Sequence, residues 1–260
     1  MSINVRQLLL TRDLIISWTS RTIRGRYQQS TLGWLWAVIQ PAASVVMFTV
    51  IFTIFVPVDT GDTPYIVFSY VAMVPWTFFA SSLSDMTDSI VANMDLVTKI
   101  NFPREALPVA AMLARLLDLG VAAGLLLIMM LFYRMPLLSP AFFFLPIILV
   151  IQVVLVVGLG LAAAACSVFF RDVQPLTRLV IQIWFYACPI IYPVSLVPEQ
   201  LRPYYFLNPM AGVLEAYRDV LLNNQIPGPY LWIAAGIALV TFLIGYWIFK
   251  RLEFQFADII

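Results

Sequence analysis

The chain has 260 residues, of which 62% are hydrophobic and only 11% are charged. A soluble domain has roughly 25% charged residues, so the composition excludes a soluble fold and indicates an integral membrane protein. The formal net charge of +1 also argues against a nucleic-acid-binding protein, which needs Lys and Arg gathered on one face of a soluble domain.

The first 33 residues combine five arginines with apolar side chains such as Leu14 and Trp18. This mixture is typical of a helix that lies in the membrane interface with its basic side chains toward anionic headgroups. We therefore expect residues 1–33 to form a cytoplasmic amphipathic interface helix, without the apolar core and cleavage site of a signal peptide. The helix either anchors the topology, or guides an anionic, lipid-linked substrate or packs on a cytoplasmic partner. The arginines are Arg6, Arg12, Arg21, Arg24 and Arg26.

Six apolar segments predict six membrane-spanning helices. A hydrocarbon core about 30 Å thick takes roughly 20 residues in a helix, and a helix is required because lipid cannot satisfy backbone polar groups. The fifth segment is short, and Pro189 and Pro193 should kink or end it. The segments cover approximately residues 35–56, 65–83, 109–132, 142–168, 179–194 and 231–249.

The distribution of Lys and Arg predicts the orientation. Because an even number of spans puts both ends of the chain on one side, basic residues should collect on that side, in the cytoplasm. The N-terminal arginines and the residues after spans two, four and six follow this pattern, whereas the loop after span one carries Asp59 and Asp62. The later basic residues are Lys99, Arg104, Arg171, Arg178, Lys250 and Arg251 on the cytoplasmic side and Arg134, Arg202 and Arg218 on the other.

A short polar segment, residues 93–108, separates spans two and three. It mixes charged residues, one exposed aromatic residue and prolines that delimit a helix, and the orientation places it in the cytoplasm. Such a loop suits the docking of a partner protein. The residues that we assign to docking are Asp95, Lys99, Asn101, Phe102, Pro103, Arg104 and Glu105.

Two pairs of ionisable residues lie within or beside the predicted spans. Arg115 and Asp118 are three residues apart in span three, and we expect them to form a structural salt bridge. Asp85 and Asp88 follow the apolar part of span two, and we expect them to be solvated near its cytoplasmic end. Neither pair has the pattern of a proton relay.

Residues 195–230, between spans five and six, are too long for a plain turn and too short for a domain. Prolines divide them into two short helical pieces, at about 199–206 and 210–223, and both pieces are partly apolar. They are expected to re-enter the outer leaflet, which requires that protein covers the bent backbone or that it lines a cavity. The segment is either a gate or an inert interfacial cap. Its candidate gate residues are Tyr204, Tyr205, Glu215 and Arg218.

Aromatic residues are abundant throughout the chain. Most are expected in the interface belts or the core, but aromatic side chains that line a path would give sugar rings flat surfaces and hydrogen-bonding groups. The candidates for such a channel are Trp34, Trp36, Trp76, Phe79, Trp184, Tyr186 and Tyr192.

The sequence has no recognisable catalytic or nucleotide-binding motif. It contains no Gly-x-Ser-x-Gly elbow, no His-Glu-x-x-His helix and no Gly-x4-Gly-Lys-Ser/Thr phosphate loop. The two cysteines lie in apolar runs without metal-ligand spacing, so we expect them to serve packing. We therefore expect no cofactor or metal in this chain, and a source of energy in another protein.

Four blocks of the sequence resemble the permease subunit of type-2 ABC exporters for polysaccharides, a family that includes O-antigen, capsule and teichoic-acid exporters. The first runs from Arg24 through Gly33-Trp34-Leu35-Trp36 to Gln40-Pro41, and the second is Val74-Pro75-Trp76-Thr77-Phe78-Phe79. The third is residues 97–108, with Phe102-Pro103-Arg104-Glu105, and the fourth is Leu207-Asn208-Pro209-Met210 with Tyr217-Arg218.

The resemblance implies an all-α type-2 ABC exporter fold, with residues 1–260 as one transmembrane domain. It implies a homodimer in a bacterial inner membrane with two copies of a separate ATP-binding subunit, which binds ATP and Mg. The segment 93–108 would be the coupling loop, with the coupling helix at residues 95–105, and residues 195–230 would be the outer gate. A lipid-linked polysaccharide would present its pyrophosphate to Arg21, Arg24, Arg26 and Tyr27. The alternatives are cargo such as teichoic acid, capsule, a drug or a lipid, or a multi-pass membrane enzyme that acts on lipid-linked sugars.

Overall fold

The computed structural model describes residues 5–27, 31–55, 57–61, 63–99, 102–135 and 139–256. All regular secondary structure in these ranges is helical, as predicted. The α-helices are α1 (Val5–Tyr27), α2 (Trp36–Val50), α3 (Tyr65–Ser89), α4 (Met94–Lys99), α5 (Ala106–Phe132), α6 (Leu145–Phe169), α7 (Val173–Tyr186), α8 (Arg202–Tyr205), α9 (Pro209–Leu221) and α10 (Tyr230–Leu252).

Within the described residues, five helical segments are long and apolar enough to cross a membrane. They coincide with predicted spans one, two, three, four and six, so the chain is a multi-pass membrane protein. Short stretches of π-helix or 3-10 helix extend α2, α6 and α10. The five segments are Trp36–Phe55, Tyr65–Ser89, Ala106–Phe132, Pro140–Phe169 and Tyr230–Gln255.

The predicted fifth span, residues 179–194, differs from the observed helix. Helix α7 starts earlier, at Val173, and ends at Tyr186, so its 14 residues measure about 21 Å. The chain then turns through residues 187–192 before a 3-10 turn at Val194–Leu196. The helix stops before Pro189, which is consistent with the predicted effect of proline.

Helix α3 is the centre of the bundle. Most of its side chains are buried, and it packs against α2, α5, α6, α7 and α9. Its Pro75 carbonyl accepts a hydrogen bond from Nε2 of Gln152 on α6 at 2.7 Å, and Gln152 Oε1 accepts one from Tyr217 of α9 at 3.1 Å. Buried polar groups need such partners, so this bridge fixes α3, α6 and α9 relative to one another.

Helices α6 and α10 approach each other most closely at two glycines. A Cβ atom added to Gly245 would lie 1.9 Å from the Gly158 carbonyl oxygen, and one added to Gly158 would lie 2.6 Å from the Phe242 Cα. Only a residue without a side chain fits at such a distance, as is common where transmembrane helices cross. The pair α6 and α10 therefore forms a tightly packed unit.

Contacts between helices define two ends of the bundle. Arg178 in the second turn of α7 pairs with Asp88 near the end of α3 at 2.8 Å. At the other end of α3, the Tyr65 hydroxyl donates to the Ile191 carbonyl at 2.7 Å. We name these the basic end, which holds Lys99, Arg104, Arg171, Arg178 and Lys250, and the opposite end, which holds Tyr65, Ile191 and Tyr230.

Candidate functional site

The predicted docking segment begins with the short helix α4 at the basic end. Asp95 lies in its first turn and Lys99 in its last, which is the favourable arrangement of charge along a helix dipole. Both side chains are exposed, and Val97 is the buried residue of this helix. Asn101 lies outside the described residues.

The second half of the docking segment turns inward. Phe102, which we expected to be exposed, is half-buried against the core, so that expectation was wrong. Glu105 accepts a hydrogen bond from Lys250 of α10 at 3.0 Å. Arg104 donates to the Glu253 carbonyl oxygen, and its guanidinium lies 5.6 Å from the centroid of the Phe256 ring. Pro103, which lies between Phe102 and Arg104 in the chain, is exposed.

The N-terminal helix α1 packs along α5. Arg21 and Arg24 are exposed, and the Arg21 guanidinium lies 4.8 Å from the Trp18 ring. Arg26 and Tyr27 belong to α1, but their side chains lie outside the described part of the structure. A cavity of about 180 Å³ lies between α1, α3 and α5, and Asp85 and Asp88 line it.

An ionic group links α3 and α5. Arg115 bonds to both oxygens of Asp85, at 2.7 and 3.1 Å, and to Asp118 at 3.2 Å. The predicted Arg115–Asp118 pair is confirmed. Asp85 and Asp88, which we expected to be solvated, are instead paired, Asp85 with Arg115 and Asp88 with Arg178. The charges therefore serve contacts between helices.

Aromatic residues of α2, α3 and α7 form one continuous cluster. Phe185 of α7 stacks on Phe48 of α2 with ring centroids 5.8 Å apart, and it contacts Trp76 of α3 at the same distance. Trp76 contacts Phe79 at 5.4 Å, and Phe79 contacts Trp184 at 5.2 Å. This cluster joins the first and second spans to α7.

The predicted channel residues differ in how far they are exposed. Trp76 and Phe79 are buried in the aromatic cluster, and Trp184 is partly buried. Trp36 and Tyr186 have 51% and 61% of their surface exposed. Tyr192 is half-buried, and the Trp34 side chain lies outside the described part of the structure.

Arg218 is the centre of the predicted gate segment. It is 3% exposed, its guanidinium lies 3.7 Å from the Phe68 ring centroid, and it donates to the carbonyls of Ile190 and Tyr192 at 2.9 and 3.4 Å. Glu215 approaches it at 3.7 Å. Burial raises the pKa of the Glu215 carboxyl, and the adjacent Arg218 charge partly offsets this rise.

The other gate residues surround the same turn. The Tyr205 hydroxyl lies 3.1 Å from the Tyr192 hydroxyl, whereas Tyr204 is 73% exposed. The two helical pieces predicted for this segment are present as α8 and α9. Helix α9 is largely buried, and it packs against α3, α6 and α10. Arg218 and Tyr205 thus hold the turn at 187–192, and Tyr204 faces outward.

Comparison with known proteins assigns this arrangement to a family. The sequence model of the ABC-2 type transporter matches residues 13–222, which include all helices from most of α1 to α9. The chain belongs to the ABC-2 type transporter family.

Three curated relatives match this ABC-2 chain almost from end to end. The O-antigen export system permease protein RfbA of Klebsiella pneumoniae is 27% identical over 248 residues, 95% of each chain. The protein of the same name from Myxococcus xanthus is 28% identical over 258 residues, 98% of each chain. The polysialic acid transport protein KpsM of Escherichia coli is 26% identical over 241 residues, 90% of this chain and 91% of KpsM.

Asn208 has a role in this ABC-2 chain that sequence reasoning did not assign. Its Oδ1 accepts hydrogen bonds from the Trp184 indole at 2.8 Å and from the Met210 backbone N–H at 3.1 Å, so it caps α9. Its Nδ2 donates to the Ala187 carbonyl at 3.2 Å. The Asn208-Pro209 dipeptide is a helix-start signal that predicts the cap but not the contact with α7.

Proposed function

We propose that this chain is the membrane-spanning subunit of an ATP-driven exporter of lipid-linked polysaccharide. The observation that carries the proposal is the match over at least 90% of the chain to permeases that are named for O-antigen export and polysialic acid transport. In the proposed complex, two copies of the chain assemble with two copies of a separate ATP-binding subunit. That subunit binds ATP and Mg and hydrolyses the ATP.

The proposed topology has six crossings with both termini in the cytoplasm of a bacterium, in its inner membrane. Although α7 is short, the segment from Arg178 to Ile191 contacts both ends of α3, whose 25 residues measure about 37 Å. In this proposal, the chain from α7 through the 187–192 turn forms the remaining crossing beside α3. The basic end then faces the cytoplasm by the positive-inside rule.

The proposed docking surface for the ATP-binding subunit is α4, and the half-buried Phe102 would contribute only its exposed part. The exposed Asp95 and Lys99 support this role. Both lie at the basic end on α4, in which Val97 is the buried residue. Arg104 and Glu105 each bond to the chain's own C-terminal end, Arg104 to the Glu253 carbonyl and Glu105 to Lys250. In this proposal they hold the docking segment in place.

The proposed route for the polymer lies between two copies of the chain, along α2 and α7. Helix α7 has no buried residue, and Pro41 and Val45 are the buried residues of α2. The exposed Trp36 and Tyr186 offer stacking surfaces for sugar rings, backed by the aromatic cluster. ATP binding would close the ATP-binding dimer, move α4, and part α2 and α7 of the two copies.

The proposed entry point for the lipid pyrophosphate is the basic surface of α1. Arg21 and Arg24 are exposed at this helix, and Arg26 and Tyr27 follow in the same helix. Charge-assisted hydrogen bonds from Arg suit phosphate oxygens. The outer segment α8–α9 would close the far end of the route.

Depletion of the chain in its native bacterium tests the function. We expect lipid-linked polysaccharide to accumulate where a glycosidase added to intact cells cannot reach it, while an enzyme added to opened cells digests it. Restoring the wild-type chain should return the glycan to the surface. Normal surface glycan after depletion, with retention of a drug or a simple lipid instead, would contradict polysaccharide export.

A further inference from the structure

The C-terminal end of α10 is joined to the docking segment by a set of alternating charges. Lys250 lies 3.0 Å from Glu105 and 3.1 Å from Glu253. Arg104 also donates to the Glu253 backbone carbonyl. All of these groups are partly buried, so each charge faces its partner in a region with limited access to water.

An aromatic contact completes this connection. After α10, the 3-10 turn Glu253–Gln255 bends the chain, and Phe256 becomes fully buried. The Phe256 ring lies 6.0 Å from Phe169 and 5.9 Å from Phe249, and the Arg104 guanidinium lies over its face. We name Arg104, Glu105, Lys250, Glu253 and Phe256 the C-terminal bracket.

Helix α10 connects the C-terminal bracket with the opposite end of the bundle. Along its length it packs against α6 at the Gly158–Gly245 contact. At its start it packs against α9, where a Cβ atom on Gly212 would lie 2.9 Å from the Tyr230 carbonyl oxygen. Helix α9 carries Arg218, which bonds to the turn after α7. An unbroken series of packed elements therefore runs from the docking segment to that turn.

We propose that Arg104, Glu105 and Lys250 are positioning residues that fasten the docking segment to α10, so that α10 passes its movement to α9 and the outer segment. This inference rests on the proposed function. It adds to α4 a second path, through α10, by which movement of the ATP-binding subunit reaches the outer segment. Packed helices and ion-pair networks can carry such coupling between distant sites. Without the bracket, the segment would keep its core contacts at Val97 and Phe102 but lose its link to α10, and ATP hydrolysis would be less effective in export.

Charge reversal with rescue tests this role in the purified complete transporter, reconstituted in vesicles with lipid-linked polysaccharide. The quantity measured is glycan exported per ATP hydrolysed. We expect Glu105→Lys and Lys250→Glu each to lower it by about fivefold or more, the range of ordinary coupling between sites. The double variant Glu105→Lys with Lys250→Glu should recover part of it, because the exchanged pair is restored while Glu253 remains beside residue 250. The milder Glu105→Gln should lower it less.

The matched control is Arg251→Glu, a charge reversal next to Lys250 at an exposed residue whose guanidinium lies over Trp247 of its own helix. It should leave the ratio unchanged. The inference is overturned if the single reversals keep the wild-type ratio, or if they only lower the amount of assembled complex and the double variant recovers nothing. A wild-type complex without ATP-dependent export would instead overturn the proposed function itself.

Discussion

Arg218 shows how a single buried side chain fixes the opposite end of the bundle. The carbonyls of residues 190 and 192 belong to a turn without helical hydrogen bonds, and a guanidinium satisfies two of them at once. Lys has one point charge on a flexible stem and cannot reproduce this planar fork. The geometry of Arg218, and not only its charge, should therefore matter.

Replacement of Arg218 tests that statement. Arg218→Met leaves the two carbonyls without their donor and should destabilise the chain by about 3 kcal/mol, the cost of losing a buried charged hydrogen-bonding partner. Thermal unfolding in detergent measures the change, and cleavage of residues 187–201 by a protease should increase. Arg171→Met, at an exposed arginine, is the control. If Arg218→Lys unfolds like the wild type, charge alone explains the role.

Several contacts between residues could not be predicted from the sequence. The Arg115–Asp118 pair is predictable because the two residues are three apart in a helix. The bonds of Arg115 to Asp85, and of Lys250 to Glu105, join residues 30 and 145 positions apart, and no local pattern encodes them. For the same reason Phe102 was expected on the surface, although tertiary packing turns it inward.

At the scale of elements, the α6–α10 crossing depends on the absence of side chains. Gly245→Ala would place a methyl group against the backbone of α6, which cannot move aside as a flexible side chain can. We expect a loss of about 3 kcal/mol, at the upper end for overpacking, and a lower yield of folded protein. Gly236→Ala is the matched control, because no atom lies within 4 Å of its Cβ position. If both variants have the same stability and yield, α6 and α10 can move apart at their crossing without loss.

Helix α4 is the element on which the docking proposal depends. Reversal of its two exposed charges, Asp95→Lys with Lys99→Glu, should release the ATP-binding subunit during affinity purification while the chain itself remains folded. The control is Asp172→Lys in the exposed loop before α7, at the same end. If the α4 variant retains the subunit in the wild-type amount, or the control releases it as well, α4 is not the docking element.

The sequence predicts the elements unevenly, for physical reasons. Long apolar runs identify five spans because lipid requires about 20 residues of helix. The extent of α7 was missed because the apolar pattern continues past Tyr186, although the helix ends there and the chain turns. Helices α8 and α9 were predictable from their prolines, whereas the burial of α9 depends on tertiary contacts.

At the scale of the whole molecule, α7 has no buried residue, and we propose that a second copy of the chain covers it. Ile183 of α7 and Leu243 of α10 are similarly exposed, at 61% and 57%. If a second copy covers α7 while lipid covers α10, Ile183→Asn should weaken the association of two differently tagged copies and Leu243→Asn should not. Co-purification of the two tags from one membrane measures the association. Equal weakening by both variants would contradict a dimer that meets along α7.

We propose that this chain moves lipid-linked polysaccharide across a membrane with energy from a separate ATP-binding subunit. The most direct measurement reconstitutes the purified complex in vesicles and follows the glycan with a glycosidase enclosed in the lumen. We expect ATP, and not a non-hydrolysable analogue, to make the glycan susceptible to the enclosed enzyme. Hydrolysis of ATP without movement of the glycan, or movement by this chain without the ATP-binding subunit, would contradict it.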